Sequence, residues 1–236
     1  MRLVLGAALA LVLASALFVA FPGLDLAVSA FFYDGSGFPV TAIPAVEVLR
    51  VIMWSSEDLW FLMSLALVLL AWRGPVLSLT ARDWGFQALL FALGPGLVVN
   101  GILKRFWGRA RPFMIEHFGG SARFSRAWEI TDQCARNCSF VSGEMAGASV
   151  LAVALVLTLR ANRARIAPGP FRAGQGLALA IPALTAWQRV AVGRHYLSDV
   201  VISAALIGLL AAALCRLLQP PSCRAGRLTS HGAAPR

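Results

Sequence analysis

Charge is what this sequence has least of. Of its 236 residues 14% are charged and 58% are hydrophobic, and the mean hydropathy is +0.73. A soluble domain of this size has no use for so much apolar surface, so a globular soluble fold is excluded and a polytopic membrane protein remains. Acidic residues are scarcer than basic ones, 11 against 21, and the net charge is +10. Among apolar spans that excess fits cytoplasmic arginines at helix ends and a basic anion site, and no nucleic-acid partner is expected. Lys104 is the single lysine, and histidine occurs only as His117, His195 and His231. His231 lies in a polar tail and His117 in a loop without evident partners, so any chemistry that needs imidazole falls to His195. Cysteine is limited to Cys134, Cys138, Cys215 and Cys223. The Cys134/Cys138 spacing fits a disulfide in an oxidising periplasm or two free thiols. No second cysteine pair or convincing histidine accompanies them, so no zinc site is expected, nor any other metal or cofactor. Internal repeats are absent, and nothing in the sequence bears on oligomeric state.

The long uncharged runs predict an all-α protein of six transmembrane helices. They are Leu3–Leu24, Leu59–Trp72, Trp84–Leu103, Phe140–Leu159, Ala173–Gln188 and Tyr196–Cys215. Ala14-Ser15-Ala16 resembles a signal-peptidase site, but the apolar run continues through Phe21, so the first helix is read as uncleaved. Asp25–Ser56 reads as a mixed loop with Tyr33–Gly37 as a turn cluster. The second span is the weakest, with Glu57-Asp58 as its cap and Trp60 and Trp72 at the interfaces. Residues 1–218 form one membrane domain, and 219–236, rich in Arg, Pro, Gly and Ser, form a flexible cytoplasmic tail.

Basic residues orient the spans. With both termini cytoplasmic, Arg2, Arg73, Arg82, Arg160, Arg163, Arg165, Arg172, Arg216, Arg224, Arg227 and Arg236 are inside, eleven against ten. Six of those ten fall within Lys104–Arg111 and Arg189–Asp199, and setting them aside leaves four outside. Basic residues kept against the topological trend, in two short stretches on one face, indicate an external anionic substrate.

Three stretches carry the chemistry. In Lys104–Pro112, Lys104 and Arg111 are two turns apart and share a face if the segment stays helical, while Pro112 ends it. Alone, this reads as a basic helix on anionic head groups. In Val141-Ser142-Gly143-Glu144, Ser142 can cap the fourth span and Gly143 can bring backbone N–H groups close to an anion. Alone, it reads as an ordinary cap with Glu144 in the first turn. In Arg189–Asp199, His195 and Asp199 are i and i+4, so Asp199 can hold the Nδ1 proton and leave Nε2 free as a nucleophile. Arg189 supplies a fork suited to phosphate, and Gly193 permits a turn between them.

Together, Lys-x6-Arg-Pro, Ser-Gly and Arg-x5-His-x3-Asp resemble the three-part signature of the type 2 phosphatidic acid phosphatase (lipid phosphate phosphatase) family, from about residue 24 to 215. The second motif departs from the family's Pro-Ser-Gly-His, with Glu144 in place of histidine, and Gln188-Arg189 replaces Ser-Arg. The resemblance implies that Lys104, Arg111, Arg189, Ser142 and the Gly143 N–H bind phosphate. His195 would form a phosphohistidine oriented by Asp199, without a metal, on the periplasmic face of the inner membrane. Glu144 takes the place of the residue that would protonate the leaving oxygen; it must do so or the step must not need it, and an ionised Glu144 among the cations would instead hold a cation or orient water. The expected partners are membrane lipids and a phosphorylated lipid substrate. The candidates are undecaprenyl diphosphate, lipid A 1-phosphate, phosphatidylglycerophosphate and phosphatidate. An enzyme with weak acid assistance should favour a diphosphate or a glycosyl phosphate, whose leaving groups need little protonation. Phosphotransfer to a lipid acceptor, or lipid-phosphate binding without catalysis, would use the same residues.

Overall fold

The computed structural model describes residues 1–224, and its fold is all-helical. Helix α1 spans Arg2–Ala20, α2 Gly23–Phe31 and α3 Pro44–Leu70. Helix α4 runs over Ala81–Phe106. Helices α5, α6 and α7 span Gly143–Ala161, Pro168–Ala191 and Leu197–Leu218. Five of them, α1, α3, α4, α5 and α7, are long and apolar enough to cross a membrane. Helix α6 is 24 residues long but carries Arg172, Gln175, Gln188 and Arg189, which lower its apolarity.

Helix α5 is the central element. It packs on α6, α7, α4 and α3, and α1 packs on α7. Its Ala146, Val150 and Leu151 join Phe86 and Leu90 of α4 with Ile202 and Ile207 of α7 in one buried core. Burial of the small residues Ala146, Gly147 and Ala148 lets its neighbours approach closely, the usual solution where lipid supplies no hydrophobic drive between helices. Helix α1, by contrast, leaves Leu5, Leu9, Val12 and Leu13 exposed, as a lipid-facing surface requires. Helix α4 widens into π-helical turns over Ala92–Leu103, where Pro95 removes one backbone donor from the ladder.

The segment read as a mixed loop is largely helical. Pro44, with φ preset at the first helical position, starts α3 fifteen residues before the expected Leu59. Glu57 and Asp58 therefore sit mid-helix and cap nothing, and Glu57 is buried. Apolar-run length misjudged this helix because a transmembrane helix tolerates charge where a neighbouring helix or cavity receives it. The tail expected from residue 219 begins folded: Pro221–Arg224 forms a helical turn, and the Ser222 N–H donates to Asp83 at 2.8 Å. The rest of that tail, with His231, lies outside the described residues. Both cysteine pairs, Cys134–Cys138 and Cys215–Cys223, are disulfides.

Candidate active site

The end of α4, the start of α5, the end of α6 and the start of α7 meet at one end of the bundle. They enclose a cavity of about 550 Å³ lined by Arg50, Lys104, Arg111, Glu144, Arg189 and His195, among others. Three stretches distant in sequence thus deliver their cations and the histidine to one space. Lys104 and Arg111 do not share a helical face, because the helix ends at Phe106 and Arg111 lies in extended chain. They meet through Asn137, whose carbonyl accepts from Arg111 Nε and Nη2 at 3.0 and 2.8 Å. Lys104 Nζ donates to the Asn137 side chain at 3.4 Å. Asn137 sits at φ +50, inside the five-residue loop closed by the Cys134–Cys138 disulfide.

Gly193, at φ +65, makes the turn between α6 and His195. The His195 N–H donates to the Arg189 carbonyl at 3.1 Å, fixing the histidine one loop from that arginine. Its side chain is 3% exposed. Burial lowers its pKa to about 3, with Lys104 and Arg111 adding to the effect and Asp199 opposing it, so the resting imidazole is neutral. Its Nδ1 is 3.6 Å from Asp199 Oδ2, beyond hydrogen-bond reach, and has no other partner. The i,i+4 placement is as expected, but the direct bond is not made.

Asp199 is already engaged. Oδ1 accepts from Arg109 Nη1 at 2.7 Å, while Oδ2 accepts from Ser139 Oγ at 2.5 Å and the Tyr196 N–H at 2.9 Å. Arg109 is fully buried and ties three parts of the chain together. It pairs with Asp25 of α2 at 2.8 Å, and donates to Ser198 Oγ at 2.8 Å and to the Ser125 carbonyl at 3.0 Å. Its guanidinium carbon lies 4.1 Å from the Tyr196 ring centroid. Burial opposes its charge, but Asp199 and Asp25 outweigh that and raise its pKa. Asp25 moves up because burial outweighs the pull of Arg109. Arg109 was visible in sequence as one cation among several, but its partner Asp25 is 84 residues away and gave no local signal.

Glu144 is placed in the cavity as expected, but in acceptor geometry. Its Oε1 accepts from Arg189 Nη1 at 2.9 Å and from Arg50 Nε at 3.0 Å. Arg50 also pairs with Glu47 at 2.7 Å. Arg50 was missed in the sequence because it lay in the segment taken for a loop. Ser142 caps α5, its Oγ accepting from the Met145 N–H at 3.3 Å, and is buried away from the cavity. Gly143 opens instead on a neighbouring cavity of about 290 Å³ shared with Glu57 and Asn100.

A family model described as the PAP2 superfamily matches residues 86–222, which hold every one of the three stretches. The chain belongs to the PAP2 superfamily. Among curated relatives, a "Lipid A 4'-phosphatase" of Rhizobium leguminosarum is 32% identical over 209 residues, covering 79% of this chain and 84% of that protein. A protein of the same description from Rhizobium etli is 34% identical over 211 residues, covering 79% and 76%. One from Francisella tularensis subsp. novicida is 38% identical over 117 residues, 49% of each chain. A solved PAP2-type phosphatidylglycerolphosphate phosphatase from Bacillus subtilis superposes with a TM-score of 0.59 at 18% identity over the full length of both chains, so the two share the PAP2 fold. The departure at Glu144 is therefore a variation inside a PAP2 framework.

Proposed function

We propose that this PAP2 protein is a membrane phosphatase that releases inorganic phosphate from a lipid A-type glycolipid, through a phosphohistidine and without a metal. The observation that carries the reading is the set Lys104, Arg111 and Arg189 around a neutral, buried His195 in one cavity. The cations offset the charge of the phosphate oxygens, and a neutral imidazole presents a lone pair to phosphorus. Attack by Nε2 forms the N–P bond as the bond from phosphorus to the lipid oxygen breaks, and that oxygen takes up a proton from water at the open mouth of the cavity. The ring becomes cationic, and Asp199, held by Arg109, balances it from 3.6 Å. Water then attacks phosphorus, releasing phosphate and the neutral histidine. The glycolipid assignment is supported by the names of the relatives, lipid A 4′-phosphatases, whereas leaving-group acidity alone would favour a diphosphate or a glycosyl 1-phosphate.

Glu144 serves here as a resting counter-ion rather than the acid. It occupies the two guanidinium groups until a substrate phosphate competes for Arg189. Helix α6 is taken as the sixth span, which puts both termini in the cytoplasm and the cavity at the periplasmic face. Because a disulfide closes at each end of the bundle, arginine distribution rather than cysteine pairing supports this orientation. The test is phosphate release by purified enzyme over a lipid panel with EDTA present. Release from the glycolipid, abolished in His195→Ala, is expected. Transfer of the phosphoryl group to a lipid without free phosphate would make it a transferase, and no turnover of any lipid would leave a binder.

A further inference from the structure

Beside the phosphate cavity lies a second cleft of about 370 Å³, built from the loop after α2 and the segment after Arg111. It shares Thr41, Val192 and Arg194 with the phosphate cavity, so the two adjoin. Both volumes fall in the range of small-molecule sites. Phe113 offers a flat apolar surface, with the Arg194 guanidinium 4.6 Å from its ring centroid. Two hydroxyls line or border the cleft with their hydrogens already committed. Ser36 Oγ donates to Asp34 Oδ1 at 2.8 Å, and Thr41 Oγ1 donates to the Phe38 carbonyl at 2.7 Å. Each therefore presents lone pairs to an incoming donor, while Arg194 presents N–H groups. Phe118 and Val192 complete the apolar lining.

We infer that this cleft is a saccharide subsite, which seats the sugar ring that carries the scissile phosphate. An aromatic face, fixed acceptors and a guanidinium donor match a pyranose, with its apolar C–H face and its ring of hydroxyls. An acyl chain would have no use for those acceptors, and the cleft is made by interhelical loops rather than by lipid-facing helix surface. The distance to the nucleophile is held by backbone: the Phe113 N–H donates to the Gly193 carbonyl at 3.1 Å, two residues before His195. The inference rests on the glycolipid phosphatase reading and adds the residues that would choose a sugar over a glycerol.

The experiment compares wild type, Phe113→Leu and Phe113→Tyr on two substrates in the same mixed micelles, a 4′-phosphorylated lipid A precursor and phosphatidate. Phe113→Leu should raise KM for the glycolipid about tenfold, the size of one lost stacking contact. Its kcat/KM on phosphatidate should stay within about twofold of wild type, and Phe113→Tyr should behave as wild type on both. The phosphatidate rate also reports whether a variant has folded. Equal losses on both substrates, or no loss on either, would overturn the subsite while leaving the phosphatase reading intact. A wild type that cleaves phosphatidate and not the glycolipid would overturn both the subsite and the glycolipid assignment. A wild type that cleaves neither would overturn the subsite and the glycolipid assignment, and the phosphatase reading would fall only if the remaining candidate lipids also released no phosphate.

Discussion

His195 combines two properties that conflict in water: it is surrounded by cations, and its lone pair must stay free. Burial resolves the conflict by lowering the pKa to about 3. The free enzyme therefore should not lose activity through protonation of this residue near its ordinary 6.5. The acid limb of kcat/KM should move with the second pKa of the substrate phosphate when substrates are varied. A limb fixed at 6.5 for every substrate would contradict a buried neutral imidazole. The same shift has a sign for stability. The unfolded chain takes up a proton at His195 below 6.5 and the folded protein only near 3, so this contribution is complete above 6.5 and is lost as pH falls toward 3. The drop in Tm between pH 7 and pH 4 should be smaller in His195→Gln than in wild type. Arg109 poses the opposite case, a charge buried with two carboxylates. Arg109→Met leaves Asp25 and Asp199 without their shared cation and should cost about 3–5 kcal/mol, read as a large loss of Tm in detergent or failure to accumulate. An unchanged Tm would mean that the cluster is not held by charge.

Among the elements, α5 and α3 come into close approach where Gly147 faces Glu57. A Cβ at Gly147 would stand 1.9 Å from Glu57 Oε2. Gly147→Ala should destabilise by about 1–3 kcal/mol, as overpacking does, and Glu57→Ala in the same chain should recover most of the loss. Thermal unfolding of the two single variants and the double variant reads this directly. Additive losses would show that the two residues do not touch. The loop of Cys134–Cys138 is the other element with a functional consequence, because it presents the Asn137 carbonyl to Arg111. Replacing both cysteines by serine should loosen Arg111 and raise KM several-fold with little change in kcat, since ground-state and transition-state phosphate lose the same contact. A fall in kcat at constant KM would assign the loop a different role.

At the scale of the whole molecule, the bundle sets Arg50, Lys104, Arg111, Arg189 and Arg194 around the cavity at one end and leaves apolar surface along its sides. Single cysteines placed between residues 104 and 139 of a cysteine-free variant should react with an impermeant thiol reagent in intact cells, and ones between 160 and 172 should not. Labelling in the reverse pattern would turn the protein over in the membrane.

Sequence alone determined that this is a membrane protein, because apolar runs of spanning length have no other solvent. It also determined which residue types could do phosphate chemistry, because charges and a histidine near apolar spans are too costly to persist without use. It placed the start of α5 at Ser142 and the turn at Gly193, both local effects of cap and backbone preference. What it did not determine was every relation between distant segments. Glu57 sits inside a helix because α3 begins at Pro44, and its carboxyl group lines a cavity that no window of sequence displays. Asp25 and Arg109 are paired only once α2 has docked on α7. Asp199 was expected to serve His195, yet in the folded protein it bonds first to Arg109, Ser139 and the Tyr196 N–H. Glu144, which stands where the family's motif has a histidine, is held as an acceptor by Arg50 and Arg189, because packing brought two guanidinium groups to that place. Periodicity and caps are written within one helix turn, whereas the pairing of buried charges is decided by which helices touch.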